Sequence, residues 1–235
     1  MTRNLTIAMI ADTHGTYPLE LLAGLEEGML IIAGDLLDDK GDESRFKIFI
    51  KWLSEARLIV KHIVLIAGNH DGFIYENEAE VRAVFKNLGV HYLRDSMVQI
   101  EGLNIYGLPW TERYGDWYFQ LSDRHLKKKI DAIPQNVDIL ITHMPPFGIL
   151  DLNAEKKKCG NHDLLKKVWQ VNPLLHVFGH IHPAGGARLV DRTWFVNAGV
   201  MPPLFLWQSS EYLYPFYAKL IQNEDGRWAV EKEVK

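Results

Sequence analysis

The sequence predicts a single α/β domain spanning residues 1–235, and three observations predict it. Short apolar runs suited to strands buried on both faces recur along the chain, and five of them stop abruptly at Asp, His or Asn. Between the runs lie stretches with apolar residues at helical spacing, clearest at Phe46, Phe49, Ile50 and Leu53, which fall at i, i+3, i+4 and i+7. No linker, internal repeat or low-complexity segment divides the chain, so one domain is the economical reading.

In chain order, Leu5–Ala11 reads as a strand ending in Asp12-Thr13-His14. Extended backbone through that ending would point Asp12 and His14 to one side. Pro18–Glu27 is expected to form a helix that Gly28 ends, and Met29–Ala33 is the strand that delivers Asp35. Ser44–Arg57 is an amphipathic helix with Ser44 as its expected N-cap. Ile63–Ala67 is the strand before Gly68-Asn69-His70-Asp71, and Asn77–Asn87 is a helix closed by Gly89. Val90–Leu93, Met97–Ile100 and Leu103–Tyr106 are short strands, the last two expected to pair antiparallel. The aromatic stretch from Leu108 to Phe119, broken by Pro109 and Gly115, is placed as a loop near the site. A helix over Ser122–Ile133 leads to the strand Val137–Thr142 and His143. A helix over Asn161–Val171 leads to Leu174–Phe178 and then Gly179-His180-Ile181-His182. Trp194–Asn197, Leu213–Leu220 and Trp228–Lys232 are strand-like. The aromatic, proline-rich region Val200–Tyr217 suits an interface or core equally.

Bulk properties exclude several classes. A net charge of -4 over 235 residues gives no electrostatic pull towards nucleic acid or an anionic membrane. No segment approaches the ~18–20 apolar residues that span a bilayer. The single cysteine, Cys159, leaves no intramolecular disulfide framework, and no secretory signal opens the chain. A cytoplasmic protein is the expectation. The runs Lys127–Lys129 and Lys156–Lys158 read as solvated faces.

The strand endings carry the function. In order they present Asp12/His14, Asp35, Asn69/His70/Asp71, His143 and His180/His182, the residue types that hold divalent metals. Five of the ten histidines fall in this ordered series, which scattered structural histidines would not produce. His62, His91, His125, His162 and His176 lie outside it and receive no role.

The series resembles the calcineurin-like metallophosphoesterases, and the resemblance runs from Ile7 to about Asn197. The stretches Ile105–Thr111, Thr142–Asp151 and His176–His182 look like one branch, the small metallophosphodiesterases related to class III cyclic-nucleotide phosphodiesterases. The resemblance implies a four-layer αββα sandwich of two mixed sheets flanked by helices, with two metal ions at the strand ends. Asp12, His14 and His182 would hold one ion, Asn69, His143 and His180 the other, and Asp35 would bridge them. A carboxylate suits the bridge because its two oxygens reach ions about 3.5–4 Å apart. The mixed N/O donors suit Mn first, with Fe or Zn as alternatives. The implied nucleophile is a hydroxide bridging the ions, its pKa lowered towards ~7. His70, left without a metal, would stabilise or protonate the leaving oxygen. Asp71 would orient the His70 ring or pair elsewhere, and both readings stay open. Trp110 and Arg113 are candidate substrate contacts.

Substrate class follows from an omission. Protein-phosphatase relatives carry an arginine in Gly-Asp-x-x-Asp-Arg-Gly and another before Gly-Asn-His, which grip a dianionic monoester. Here these positions read Asp38-Asp39-Lys40-Gly41 and Ile66-Ala67-Gly68. A monoanionic diester needs less positive charge, so a small phosphodiester, cyclic nucleotides included, is the expected substrate. Lys40 or Arg113 standing in for the arginines would favour a monoester or protein phosphatase instead. A nuclease would need a basic groove, against which the acidic net charge argues. A catalytically silent scaffold is the reading outside enzymes, and relatives of that kind lack metal ligands that this chain retains.

Overall fold

The computed structural model describes residues 3–17, 19–38, 42–199 and 215–234. The first sheet begins with β1 (Arg3–Ile10), β2 (Met29–Ala33), β3 (His62–Ile66) and β4 (His91–Tyr92), all parallel neighbours. The second is built on β5 (Ser96–Ile100), β6 (Leu103–Leu108), β9 (Ile139–Thr142), β10 (Leu175–Phe178), β11 (Gly186–Val190) and β12 (Thr193–Asn197), in the order β11-β12-β10-β9-β6-β5. Its four central strands are parallel and its two outer ones antiparallel. β13 (Phe216–Gln222) and β14 (Trp228–Val234) return antiparallel to complete the first sheet as β14-β13-β1-β2-β3-β4. Two short strands, β7 (Thr111–Glu112) and β8 (Gln120–Leu121), pair beside them and give regular structure to the ends of the expected loop.

Alternation along each strand makes the layers. Ile7, Met9, Ile31, Val64 and Ile66 from the first sheet pack with Ile105, Ile139, Ile141, Val177 and Val196 from the second in one core. The intervening residues Ala8, Leu30, Ile32, Leu65, Leu140 and Phe178 face the other way and pack against helices. Those helices are α1 (Glu43–Ile59), α2 (Gly72–Glu76), α3 (Glu78–Asn87), α4 (Asp123–Asp131) and α5 (His162–Val171). They bury Phe46, Phe49, Trp52, Leu53 and Phe85 on one flank and Leu126, Ile130, Leu164 and Val168 on the other. Sheets buried on both faces explain why their central strands read as unbroken apolar runs. The result is the expected pair of mixed sheets flanked by helices.

Two local expectations are corrected. Pro18–Glu27 does not form an α-helix; its described residues hold one 3-10 turn, Glu20–Leu22, and Gly24 at φ 83 turns the chain out of helical geometry. Ser44 is not the N-cap of α1. Asp42 takes that place, its carboxylate accepting from the Arg45 N–H at 2.9 Å, while the Ser44 hydroxyl donates to the same oxygen at 2.6 Å. A carboxylate also complements the positive end of the helix dipole, which a hydroxyl does not. Asp42→Ala should shift the denaturant midpoint slightly downward, with no effect on metal content. The expectations for Asp39–Gly41 and for most of Val200–Tyr217 lie outside the described residues. Among the described residues, no helix is long and apolar enough to cross a membrane.

Candidate metal centre

Five parallel strands, three in the first sheet and two in the second, bring their C-terminal ends to one crevice. β1 delivers Asp12 and His14, β2 Asp35, and β3 Asn69, His70 and Asp71; β9 delivers His143, and β10 His180 and His182. The chain leaves several of these strands through the left-handed region, with φ 54 at Asp12, 42 at His14, 51 at Asp35 and 70 at His180. Asp and His tolerate that region better than branched residues, though each held there stores on the order of 1–3 kcal/mol when strained. Extended geometry therefore does not persist from Asp12 to His14. The Asp12 N–H donates to the Gly34 carbonyl at 3.0 Å and the His14 N–H to the Asp35 carbonyl at 3.1 Å, which curls the segment against the turn after β2. Both side chains still enter the same crevice.

Two groups of donors form there. Asp12, His14, Asp35 and His182 bring one ligand atom each within 4.8 Å of one another, and so do Asp35, His143 and His180. Asp35 belongs to both. The Asn69 Oδ1 lies 3.0 Å from His143 Nε2, which adds a neutral oxygen to the second group. The Nε2 atoms of His14 and His182 face each other at 3.3 Å. Asp35 Oδ2 stands 3.3 Å from His143 Nε2, 3.9 Å from His14 Nε2 and 4.0 Å from His70 Nε2.

The carboxylates are also fixed from behind. Asp35 Oδ1 accepts the His70 N–H at 2.8 Å, and Asp12 accepts the His180 N–H at 2.9 Å through Oδ2. His143 Nδ1 meets the Ala33 carbonyl at 2.9 Å. A carbonyl only accepts, so Nδ1 carries the proton and Nε2 keeps its lone pair for a cation. The glycines of these motifs make room. A Cβ at Gly68 would sit 2.7 Å from His143 Cε1, and one at Gly179 2.6 Å from the Ala11 Cβ.

The electrostatics call for positive charge. Burial raises the Asp35 carboxyl, but His143, then His14 and His70, outweigh it and hold the group well below the ordinary carboxylate range. Asp12 is likewise raised by burial and lowered further by His182. Burial lowers His143, yet Asp35 beside it drives the imidazole up to about 9. His180 goes to about 4 through burial and its neighbour His143. A proton on His143 thus stands where the donor set would place a cation. Two buried carboxylates, four imidazoles and one amide oxygen fit divalent ions of mixed N/O preference.

Two consequences are measurable. A saturating divalent ion should raise the melting temperature by about 5–10 °C at a hundredfold excess over its dissociation constant, and chelation should reverse the rise. The metal-free chain should also lose stability with rising pH. His143 has a folded pKa above its ordinary 6.5, so its contribution is full below 6.5 and disappears as pH passes about 9. Loading with metal should flatten that slope, because a ligating imidazole is already neutral.

The remaining candidates divide. His70 is at the crevice, its ring edge-on to His14 at 4.7 Å and packed on Trp117 at 4.1 Å between centroids. Asp71 does not orient that ring. Its fully buried carboxylate accepts the N–H groups of Leu36, Leu37 and Gly68 at 2.9, 2.8 and 2.7 Å, because it caps the turn after β2 from the turn after β3. Trp110 is not a substrate wall. It is 5% exposed, donates from Nε1 to Asp95 at 2.8 Å and lies under the Arg94 guanidinium, so it packs the loop. Arg113 is exposed just beyond β7, and among the described residues no contact ties it to the ligands. Trp117 is the site residue that sequence reasoning misses, although the aromatic stretch containing it stands out. His176, buried within β10 with Nε2 2.9 Å from the Thr142 hydroxyl, is part of the packing.

The sequence profile of the calcineurin-like phosphoesterases matches residues 5–184. The chain is 37% identical over 218 residues to metallophosphoesterase domain-containing protein 1 of Homo sapiens, covering 81% of this chain and 64% of that one. It is 35% identical over 212 residues to UPF0046 protein C25E10.12 of Caenorhabditis elegans, covering 81% of this chain and 73% of that one. Among solved structures, TT1561 of Thermus thermophilus superposes with a TM-score of 0.62 at 16% identity, over 97% of this chain and 99% of that chain.

Proposed function

Because the chain belongs to the calcineurin-like phosphoesterases, we propose that it is a two-metal phosphodiesterase acting on small phosphodiesters, cyclic nucleotides among them. Membership and the Asp/His clusters support metal-dependent phosphoester hydrolysis. The preference for diesters rests on one observation. Among the described residues, every ion-pair partner of Asp12 and Asp35 is a histidine, and no lysine or arginine stands with them. A fixed guanidinium or ammonium beside the metals favours a monoester dianion, and a diester monoanion gains less from one. The nearest acid of the first motif, Asp38, is paired outward with Arg45 at 3.1 Å.

Asp12, His14 and His182 would hold one ion, Asn69, His143 and His180 the other, with Asp35 shared. Bound divalent ions, Mn first and Fe or Zn as alternatives, supply Lewis acidity and an activated water. The chain's own residues do the rest. Asp12 and Asp35 set the charge of the crevice, and the strand-end turns fix their oxygens before substrate arrives. His70, adjacent to Asp35 and bound to no ligand set, presents Nε2 to the leaving oxygen and donates a proton there. A single cysteine suits a reducing compartment, the cytoplasm.

The test compares an aryl phosphodiester with the matching aryl monoester, using protein stripped of metal and reloaded with Mn. Faster turnover of the diester, lost in Asn69→Ala and His143→Ala, supports the reading. A preference for the monoester overturns it.

A further inference from the structure

A histidine that donates a proton in a reaction is usually oriented through its second ring nitrogen by a carboxylate or carbonyl. His70 is not. Its Nδ1 is buried and finds no hydrogen-bond partner among the described residues. The adjacent carboxylate, Asp71, is engaged by three backbone amides. Among the described residues the ring's remaining contacts are Asp35 Oδ2, 4.0 Å from Nε2, and two aromatic neighbours. His14 meets it edge-on, with an interplanar angle of 88°, and Trp117 covers it at 4.1 Å and 37°.

The loop that carries Trp117 is itself tied to this place. The Tyr118 N–H donates to the Asn69 carbonyl at 3.1 Å, one residue before His70. The Tyr118 hydroxyl donates to Glu76 at 2.9 Å, and the Thr111 N–H to the Phe119 carbonyl at 2.9 Å. Phe119 is fully buried beneath the loop, with Trp110 and Tyr75 against it. Trp117 is therefore presented from a loop whose backbone is tied to the segment after β3 at the next residue.

We propose that Trp117 is a positioning residue that replaces the missing hydrogen bond, holding the His70 ring by aromatic contact so that Nε2 faces the leaving oxygen. The proposal rests on the role assigned to His70 above. An indole face restrains tilt and rotation about the side-chain axis, and it keeps water from the buried Nδ1 edge. Phenylalanine would keep part of that contact and alanine none.

The experiment uses the full Mn-loaded chain and a series of aryl and alkyl phosphodiesters with leaving groups of increasing pKa. Trp117→Ala should lower kcat by about tenfold to a hundredfold for the poorest leaving groups and little for the best, with KM nearly unchanged, since a donated proton matters most to a poor leaving group. Trp117→Phe should recover much of the loss. In a His70→Ala background, Trp117→Ala should have no further effect. A rise in KM, or an equal loss with every leaving group that persists without His70, would overturn the proposal and make Trp117 a substrate contact. If His70→Ala itself leaves the leaving-group dependence unchanged, the proton-donor role of His70 fails, and that outcome is told apart by the single variant. Metal content measured on each variant separates both results from loss of the ions.

Discussion

Asp35→Asn is expected to reduce phosphoester hydrolysis by at least about 10²–10³-fold, the range for removing one preorganised electrostatic group, while the chain stays folded. The substitution is nearly isosteric. An amide oxygen at Oδ1 can still accept the His70 N–H, now bonded at 2.8 Å, so the turn after β2 keeps its tie to the turn after β3. What disappears is the charge common to both donor groups. His143 at 3.3 Å and His14 at 3.9 Å lose the anion beside them, and a cation at either position loses its shared oxygen. The variant should bind less metal by elemental analysis, lose most of the metal-induced thermal shift, and show no recovery at high Mn. Full activity with normal metal content would show that the shared charge is dispensable and would remove the two-metal reading.

Asp71→Ala should produce the largest loss of stability. The carboxylate is 0% exposed and its three amide bonds join the segments after β2 and β3. Alanine would leave three buried N–H groups without acceptors, each costing about 1–3 kcal/mol. Relief of the buried charge offsets part of this. Burial, then the Asp35 carboxylate, pushes Asp71 up to about 8, against the amides that favour its charged form. A net loss of about 3–5 kcal/mol is expected, or roughly 6–20 °C in melting temperature. Asp71→Asn keeps an acceptor for two amides but turns its NH₂ towards the third, so it should melt between wild type and alanine. Equal melting temperatures for all three proteins would show that these amides are satisfied without the side chain.

The central strands are legible in the sequence because burial on both faces leaves apolar runs, and because each run stops where a ligand begins. β2 and its Asp35 are the clearest case. The sheet pairing is harder to read, since the return of β13 alongside β1 is a contact between chain ends. Local capping misleads at Ser44 because two polar residues of similar propensity stand close together and only backbone geometry chooses between them. Asp71 and Trp117 escape sequence reasoning for a shared reason. Adjacency in sequence suggests that Asp71 serves His70, whereas the backbone turns its carboxylate to amides from another strand end. The ring that does meet His70 comes from a loop far along the chain, and periodicity carries no signal for such a contact. Trp110, the more conspicuous tryptophan beside Pro109, is engaged by Asp95 and Arg94 instead.

The pairing of His14 with His182 has a consequence for the unfolded chain. These residues are 168 positions apart, and their Nε2 atoms face each other at 3.3 Å. An ion held by both would tie together two distant parts of the chain, and because the unfolded chain does not hold these side chains together, that tie stabilises the folded state alone. A chain with one cysteine has no disulfide with which to do this. Unfolding of the loaded protein must then release the ion before the two ends of the fold can separate, so resistance to proteolysis should follow metal occupancy more closely than it follows the packing of either sheet.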